Sequence, residues 1–366
     1  MHAELLDLTV IAQDGLHNAF TSLCQWHGQY YCAWRVAPTH HITPPGHLIV
    51  SQRARGDIAS VAHRATLIIP GGDCRDPRLL PTPDALFLLC GVYLPAPHHQ
   101  GWHGLSHVST ENILYTHYSY TTNGETWAPL TPALRPNYWG WSALQSQKQA
   151  HHPWMLAAYQ MGTSHDIGGS LALFVGQDLG TLTYWGIVYD GMCGDSDGST
   201  LLAPHYQPCE PVLWQPAPDT LACCVRTEAG MDLGVSRAPF QRWQWTDTKK
   251  HLHPSAVIQT PHGWLLAVRE VLTIVAPKQQ RNLPAIPPPP PIWKTAIYEL
   301  PAGHTIPRHL LTLPSGGDCG YAGMALGEER DTLLVSYYSQ HRHEDPSKTS
   351  TLSNANVWLA TVAIGT

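Results

Sequence analysis

Three apolar, β-rich runs in this sequence each end in an arginine: Arg35, Arg226 and Arg269. The runs begin after turn signals, which is typical of strands that deliver a polar side chain at their far ends. A guanidinium offers a planar fork of N–H donors that matches the two oxygens of a carboxylate. We therefore expect these strand ends to converge on one cleft, where the arginines would surround an anionic group.

A glutamate, Glu210, stands between Cys209 and Pro211, shortly before one of these runs. An unpaired carboxylate in such an apolar setting would cost free energy. Three cations in one cleft also repel one another unless an anion or acidic side chains balance them. Glu210 can be such an acidic partner for the arginines.

The composition limits what the chain can be. Its 366 residues are 43% hydrophobic and only 13% charged, with a formal net charge of −6. The absence of a basic patch disfavours a nucleic-acid partner, and no apolar run reaches the roughly 18 residues of a membrane span. The first residues lack the basic and apolar regions of a secretory signal. This favours a cytoplasmic location, with secretion as the alternative if a leader precedes this sequence.

The fold can be predicted from a repeat. Thirty-two prolines and 30 glycines indicate many turns and short strands. Short β-rich runs recur in six units of about fifty to sixty residues, without a long amphipathic helix, which is typical of a β-propeller. We predict an all-β, six-bladed β-propeller that forms one domain over residues 1–366. The N-terminal strand Leu6–Ile11 should complete the last blade beside Val357–Ala363, and the proline-rich stretch 277–292 should be a loop insertion.

Cysteines and histidines give no metal or cofactor signal. The nine cysteines are an odd number and lie mostly inside apolar runs, which favours buried free thiols over disulfides. Adjacent histidines such as His40 and His41 lack the spacing of metal ligands. No nucleotide-binding loop or His-Glu-x-x-His motif is present. The sequence therefore predicts no metal site and no cofactor.

The segment Ser119–Trp127 contains an Asn-Gly pair that predicts a hairpin turn. It also resembles the Asp-box of the sialidase superfamily, Ser-x-Asp-x-Gly-x-Thr-Trp. Gly124, Thr126 and Trp127 match this box, whereas Thr122 stands where the family has its aspartate. The resemblance implies a turn at the edge of a propeller, away from the active site.

Three further segments, residues 70–77, 209–211 and 314–321, resemble parts of bacterial sialidase-like propellers. Sialidases carry, in chain order, an arginine, an acid/base aspartate, a glutamate, two arginines and a tyrosine. The chain offers this order in Arg35, Asp76, Glu210, Arg226, Arg269 and Tyr321. The resemblance implies an exo-sialidase-like glycoside hydrolase that cleaves a terminal acidic sugar with retention of configuration.

The resemblance also implies a role for each residue. Asp76 would protonate the leaving oxygen and then activate water. Glu210 would draw the proton from the phenol of Tyr321, a nucleophile whose neutral form avoids repulsion from an anionic sugar. The three arginines would bind the carboxylate of that sugar.

Some positions have competitors. Asp73 competes with Asp76 for the acid/base role, and Tyr337 and Tyr338 compete with Tyr321 for the role of nucleophile. The first arginine of the family stands in Arg-Ile-Pro, whereas this chain reads Arg-Val-Ala-Pro.

The same fold admits two other functions. A polysaccharide lyase, or a hydrolase for another acidic or neutral glycan, would use tyrosine and histidine as base and acid, with arginine neutralising a uronate. A non-catalytic glycan-binding propeller would stack Trp139 and Trp141 on sugar rings. All of these functions imply a carbohydrate partner, and none indicates an oligomeric state.

Overall fold

The computed structural model describes residues 1–54, 56–95, 112–146, 153–160, 170–190, 208–227, 230–272, 292–301, 306–341 and 354–365. Within these segments the chain forms 24 β-strands and no helix. The described part of the chain thus has no helix that could cross a membrane. The proline-rich stretch 277–292 lies outside the described residues apart from its last position.

The strands form six four-stranded sheets, which are the blades of a β-propeller. The N-terminal strand β1 (His2–Ala12) belongs to the last blade. Blade 1 contains β2 (His17–Trp26), β3 (Gln29–Ala37), β4 (His47–Ala54) and β5 (Asp57–Leu67). Blade 2 contains β6 (Asp73–Pro81), β7 (Leu86–Pro95), β8 (Asn112–Thr121) and β9 (Thr131–Pro132). Blade 3 contains β10 (Tyr138–Gln145), β11 (Trp154–Gln160), β12 (Ser170–Gly176) and β13 (Thr183–Asp190).

In the second half of the ring, as in the first, the innermost strand of each blade comes first in the chain. Blade 4 contains β14 (Cys209–Ala217), β15 (Thr220–Thr227), β16 (Gly230–Arg237) and β17 (Trp243–Asp247). Blade 5 contains β18 (Leu252–Thr260), β19 (Gly263–Leu272), β20 (Ile292–Leu300) and β21 (Arg308–Thr312). Blade 6 contains β22 (Cys319–Leu326), β23 (Thr332–Ser339), β24 (Asn356–Gly365) and β1. The predicted all-β, six-bladed propeller is confirmed.

The two ends of the chain close the ring. Strand β1 pairs antiparallel with β24, and Leu8 lies opposite Ala360. This pairing is the one predicted from the sequence. Because the first and last described strands share a blade, the antiparallel pairing of β1 with β24, interrupted by two irregularities, closes the ring.

The core lies between neighbouring blades. Leu48 and Val50 of blade 1 pack with Leu86 and Leu88 of blade 2, and similar apolar clusters fill the other interfaces. Inner strands are therefore buried on both faces, while an outer strand such as β13 has one buried residue among its eight. The eight described cysteines are free thiols and seven of them are buried, as the sequence predicts.

Candidate active site

The second strand of each blade ends at the face of the ring where the innermost strand begins, because the two are antiparallel. The register pairs Arg35 with Ala19, Arg226 with Cys209 and Arg269 with His253. The three arginines therefore stand at one face of the propeller, beside the first residues of the inner strands. This face is the candidate active site.

Each inner strand carries a β-bulge near this face. In four of these bulges a residue other than glycine has a positive φ: Phe20 (58°), Asp76 (53°), Glu210 (54°) and Tyr321 (43°). Such a conformation costs an ordinary side chain roughly 1–3 kcal/mol, and a bulge changes the direction in which its side chain points. The strained positions include all three residues to which the sequence assigned catalytic roles.

Neighbouring groups hold these bulges in place. Pro77 and Pro211 follow the two acidic residues, and proline suits a bulge because it has no N–H to leave unpaired. The hydroxyl of Thr21 in blade 1 donates a 2.9 Å hydrogen bond to the carbonyl oxygen of Tyr321 in blade 6. The strained backbone of Tyr321 is thus fixed by the neighbouring blade.

Tyr321, Glu210 and Arg226 form a hydrogen-bonded group. The hydroxyl of Tyr321 donates to Oε1 of Glu210 at 2.6 Å, and Nη1 of Arg226 donates to the same oxygen at 2.9 Å. The side chain of Glu210 is only 8% exposed. Its Oε2 has no hydrogen-bond partner among the described residues. A carboxylate in this position can accept the phenolic proton.

The electrostatics of this group keep the phenol neutral. Burial and the negative charge of Glu210 raise the pKa of Tyr321, against the opposing effect of Arg269 and Arg226. Burial lowers the pKa of Arg226, but the charge and hydrogen bond of Glu210, together with Tyr321 and Cys209, outweigh burial and raise the pKa. The resting site therefore holds an uncharged tyrosine beside a charged arginine.

Arg269 lies between two aromatic rings. Its Cζ is 5.0 Å from the ring centre of Tyr321 and 4.7 Å from that of Trp293. Its Nε and Nη2 donate to Nδ1 of His253 at 3.1 and 2.9 Å. Burial, together with the charges of the two nearby arginines, lowers the pKa of His253 to about 2. A neutral imidazole thus orients Arg269 without cancelling its charge.

Asp76 is buried beside cations. Nε of Arg75 is 3.6 Å from Oδ2 of Asp76, and the side chain of Asp76 is 5% exposed. Burial raises the pKa of Asp76 to about 6, helped by the charge of Glu210 and opposed by Arg75 and Arg78. A carboxyl group that titrates near neutrality can give and take a proton within one reaction.

Arg35 differs from the other two predicted arginines, because its donors are taken by the protein itself. Its side chain has no exposed surface, and Nε and Nη2 donate to Oδ1 of Asp73 at 3.0 and 2.7 Å. Further N–H groups donate to the backbone carbonyls of Thr39 and His41. Arg75, whose Nη1 is 3.7 Å from the other oxygen of Asp73, also lies beside Asp76.

The competitors named from the sequence are engaged elsewhere. Asp73 is enclosed with its arginine partner and has no exposed side-chain surface. The hydroxyl of Tyr337 donates to a backbone carbonyl, and that of Tyr338 donates to Asp318. Of these three tyrosines, Tyr321 is the one whose hydroxyl meets a carboxylate that also binds an arginine.

Sequence reasoning missed Arg75, Arg78 and Phe20. The Cζ of Arg75 lies 4.9 Å from the ring centre of Phe20, which in turn meets Tyr321 edge to face at 5.3 Å. The two arginines flank Asp-Pro in the short motif Arg-Asp-Pro-Arg, which is the signal that was available. Phe20 has no comparable signal, since a phenylalanine in an apolar strand is ordinary.

The six inner strands enclose a central channel of about 410 Å³. Arg78 lines it, with Cζ 4.4 Å from the ring centre of Trp141 and Nη1 donating to the carbonyl of Ser255. Nε and Nη2 of Arg78 have no partner among the described residues. Trp139 and Trp141 are 7% and 2% exposed. They do not offer their ring faces to a glycan, contrary to the expectation for a binding-only propeller.

One cluster in the described residues has donor atoms close enough to share a metal ion. It consists of His17, His40 and Asp318, whose donor atoms lie within 4.8 Å of one another. His40 also meets Phe20 edge to face at 5.3 Å, so the cluster adjoins the candidate active site.

The chain is similar in structure to sialidases. It matches Trypanosoma rangeli sialidase in complex with the inhibitor DANA over 94% of this chain and 55% of that chain, with a TM-score of 0.61 and 10% identity. It matches phage phi92 endosialidase over 98% and 69%, with a TM-score of 0.61 and 9% identity. It matches Hadza microbial sialidase Hz136 over 94% and 65%, with a TM-score of 0.59 and 11% identity. The chain therefore has the six-bladed propeller fold of the sialidases.

No protein-family model matches the chain, and no curated protein matches it. The chain spans about 55% of the length of the trypanosomal sialidases that it matches. At about 10% identity these likenesses concern the fold. The function has to be argued from the site.

Proposed function

We propose that this protein is a glycoside hydrolase that removes a terminal acidic sugar, in the manner of an exo-sialidase that retains configuration. The supporting observation is the 2.6 Å hydrogen bond from Tyr321 to Glu210, whose carboxylate also binds Arg226. Tyrosine is the nucleophile in sialidases, an exception among glycosidases. A neutral phenol approaches an anionic sugar without the repulsion that a carboxylate would meet.

In the first step, Oη of Tyr321 bonds to the anomeric carbon while the bond to the leaving oxygen breaks. Glu210 takes the phenolic proton, and Asp76 gives its own proton to the leaving oxygen. This step needs Asp76 in its protonated form. The pKa of about 6 that burial gives this residue supports the assignment.

In the second step, water attacks the anomeric carbon and the bond to Tyr321 breaks. Asp76, now a carboxylate, takes a proton from the water, and Glu210 returns its proton to the departing phenolate. Each step inverts the anomeric carbon, so the product keeps the configuration of the substrate.

The sugar carboxylate would be bound by Arg226, Arg269 and Arg75. The side chain of Arg226 is 30% exposed and that of Arg75 is 10% exposed, so both have donors near the open face. Arg269 keeps its full charge because its partner His253 is neutral. In this assignment Arg35 supports Arg75 through their shared partner Asp73 and does not touch the substrate.

Hydrolysis of a fluorogenic sialoside tests the proposal. We expect turnover by the wild type and a loss of about a thousandfold or more in Tyr321→Phe, as for removal of a nucleophile. Tyr337→Phe is the matched control, because it removes a buried hydroxyl that binds only a backbone carbonyl. Its turnover should stay close to wild type. Undiminished turnover in Tyr321→Phe, or release of neutral sugars but no sialic acid by the wild type, would contradict the proposal.

A further inference from the structure

Three side chains meet at the seam between blades 1 and 6. His17 begins β2, His40 lies between β3 and β4, and Asp318 immediately precedes β22. Nε2 of His17 and Nδ1 of His40 are 3.0 and 2.6 Å from the same oxygen, Oδ2 of Asp318. We propose that this cluster is a binding site for a divalent transition-metal ion such as Zn²⁺. A search by sequence spacing could not find it, because 301 residues separate His17 from Asp318.

The donor set selects the class of ion. Two imidazole nitrogens and one carboxylate oxygen suit Zn²⁺, Co²⁺ or Ni²⁺. Calcium and magnesium require mostly oxygen ligands, with about six or more positions filled. Three protein ligands leave a fourth position for a water molecule, as in many zinc sites.

Groups around the cluster orient its donor atoms for binding an ion. The hydroxyl of Tyr338 donates to Oδ1 of Asp318 at 2.7 Å, which fixes the carboxylate and leaves Oδ2 to face the imidazoles. His17 is fully buried, and its Nδ1 has no partner among the described residues. The contact with Asp318 uses a proton on Nε2, which an arriving cation would displace. Because Nδ1 has no partner among the described residues, it can carry the proton instead, and Nε2 then presents its lone pair to the cation.

The site is open from one side. The side chain of His40 is 47% exposed, which gives an ion a path from solvent. Zinc–ligand distances of about 2.0–2.2 Å need donor atoms slightly farther apart than the 2.6 Å contact between His40 and Asp318. An exposed imidazole can make that small shift by rotating its side chain, while the buried His17 stays in place.

An ion here would affect the neighbouring arginines. The backbone carbonyl of His40 accepts from Nη2 of Arg75 at 3.2 Å. The carbonyls of the residues on either side of His40 accept from Arg35. Fixing the His40 side chain would therefore fix the segment that holds both arginines. The ion would act by positioning, without touching substrate, and the site itself does not depend on the proposed hydrolase activity.

Zinc titration of chelator-treated protein tests the inference, with calorimetry for affinity and thermal unfolding for stability. We expect the wild type to bind Zn²⁺ and to melt at a higher temperature with the ion. His40→Ala should weaken binding at least about tenfold. His41→Ala is the matched control, since it removes an exposed neighbouring imidazole that is not part of the cluster. It should bind as the wild type does.

The visible absorption of bound Co²⁺ provides a second, spectroscopic test of the same site. Co²⁺ in a four-coordinate site of the wild type should show strong visible d–d absorption that Asp318→Asn and His40→Ala lose. Failure of the wild type to bind zinc or cobalt would overturn the inference. So would equal binding by wild type and His40→Ala, because the ion would then be held by other histidines of the 23 in the chain. In either case the cluster would be a hydrogen-bonded link between blades.

Discussion

The hydroxyl of Tyr321 and Oε1 of Glu210 are 2.6 Å apart, although 111 residues of chain separate the two side chains. Each residue occupies a bulge of an inner strand and has a positive φ, 43° for Tyr321 and 54° for Glu210. Two separate departures from regular strand geometry are thus needed for one hydrogen bond. Strain of this kind persists when the surrounding structure enforces it, and it concentrates at functional sites.

The pH dependence of turnover should report on Asp76. Its pKa is raised to about 6, mainly by burial, and the first step needs the protonated carboxyl group. We expect kcat/KM to be highest below pH 6, where Asp76 is protonated, and to fall about tenfold per pH unit above it, which gives the pH profile an alkaline limb. In Asp76→Asn the limb should disappear, because no group near pH 6 then supplies the proton. An alkaline limb that persists unchanged in Asp76→Asn would show that another residue is the acid.

The dependence of turnover on the leaving group distinguishes acid catalysis by Asp76 from a general loss of activity. A nitrophenyl leaving group departs without a proton, whereas a sugar leaving group needs one. Asp76→Asn should therefore retain much more of the first step on a nitrophenyl sialoside than on a sialyl disaccharide. Equal losses on both substrates would argue against acid catalysis by Asp76.

The carboxylate-binding role predicts a selective effect at Arg226. Arg226→Ala should raise KM for an acidic glycoside much more than for a neutral one, because it removes a forked donor that matches two carboxylate oxygens. Arg237→Ala is the matched control in the same blade. Its side chain is 73% exposed and pairs with Asp219 at the surface, where an ion pair contributes little. If acidic and neutral substrates are affected equally by Arg226→Ala, the carboxylate-binding assignment fails.

His253 should act as a neutral support for Arg269. Its pKa is lowered to about 2, so it stays uncharged throughout the range of activity assays. His253→Asn keeps an acceptor near Nδ1 and should retain substrate affinity. His253→Asp places a negative charge against Arg269 and should raise KM for an acidic sugar, with less effect on kcat. Similar KM values for the Asn and Asp variants would contradict the assignment.

Substitution of Arg35 should lower the free energy of unfolding, because Arg35 supports the fold and does not touch the substrate. Its removal leaves Asp73 buried without its main partner, which typically costs about 3–5 kcal/mol of unfolding free energy. Denaturant unfolding of Arg35→Met measures this loss. Replacing both residues, as Arg35→Met with Asp73→Leu, should recover much of it, because neither partner of the buried ion pair is then left alone and Arg75 keeps its contact with Asp76. A double variant as unstable as the single one would show that the ion pair is not the cause.

Much of the fold was predictable because each blade repeats the same local pattern. Short apolar runs broken by turn residues define strands, and a repeat of about fifty residues defines blades. The pairing of β1 with β24 followed from the position of the first strand before the first repeat. Local rules sufficed because neighbouring strands of a blade are mostly neighbours in the chain.

The site was less predictable, because a bulge shifts the alternation of inward and outward side chains. Arg35 and Arg226 end similar runs, yet one is enclosed with Asp73 and the other reaches Glu210. Arg75 was overlooked because its side-chain direction depends on the bulge that follows it. Arg35 pairs with Asp73 of the next blade, whereas Arg226 pairs with Glu210 of its own blade. A single sequence carries no signal for that choice.

Trapping of a covalent intermediate tests the central claim, attack by Tyr321, most directly. A sialosyl fluoride with a second fluorine beside the anomeric carbon should react quickly with the nucleophile and hydrolyse slowly, so that the adduct accumulates. Mass spectrometry of digested protein should then place one sugar on the peptide that contains Tyr321. The adduct should be absent from Tyr321→Phe. Turnover of the sialoside by the wild type with an adduct on a different residue, or with none, would contradict the account.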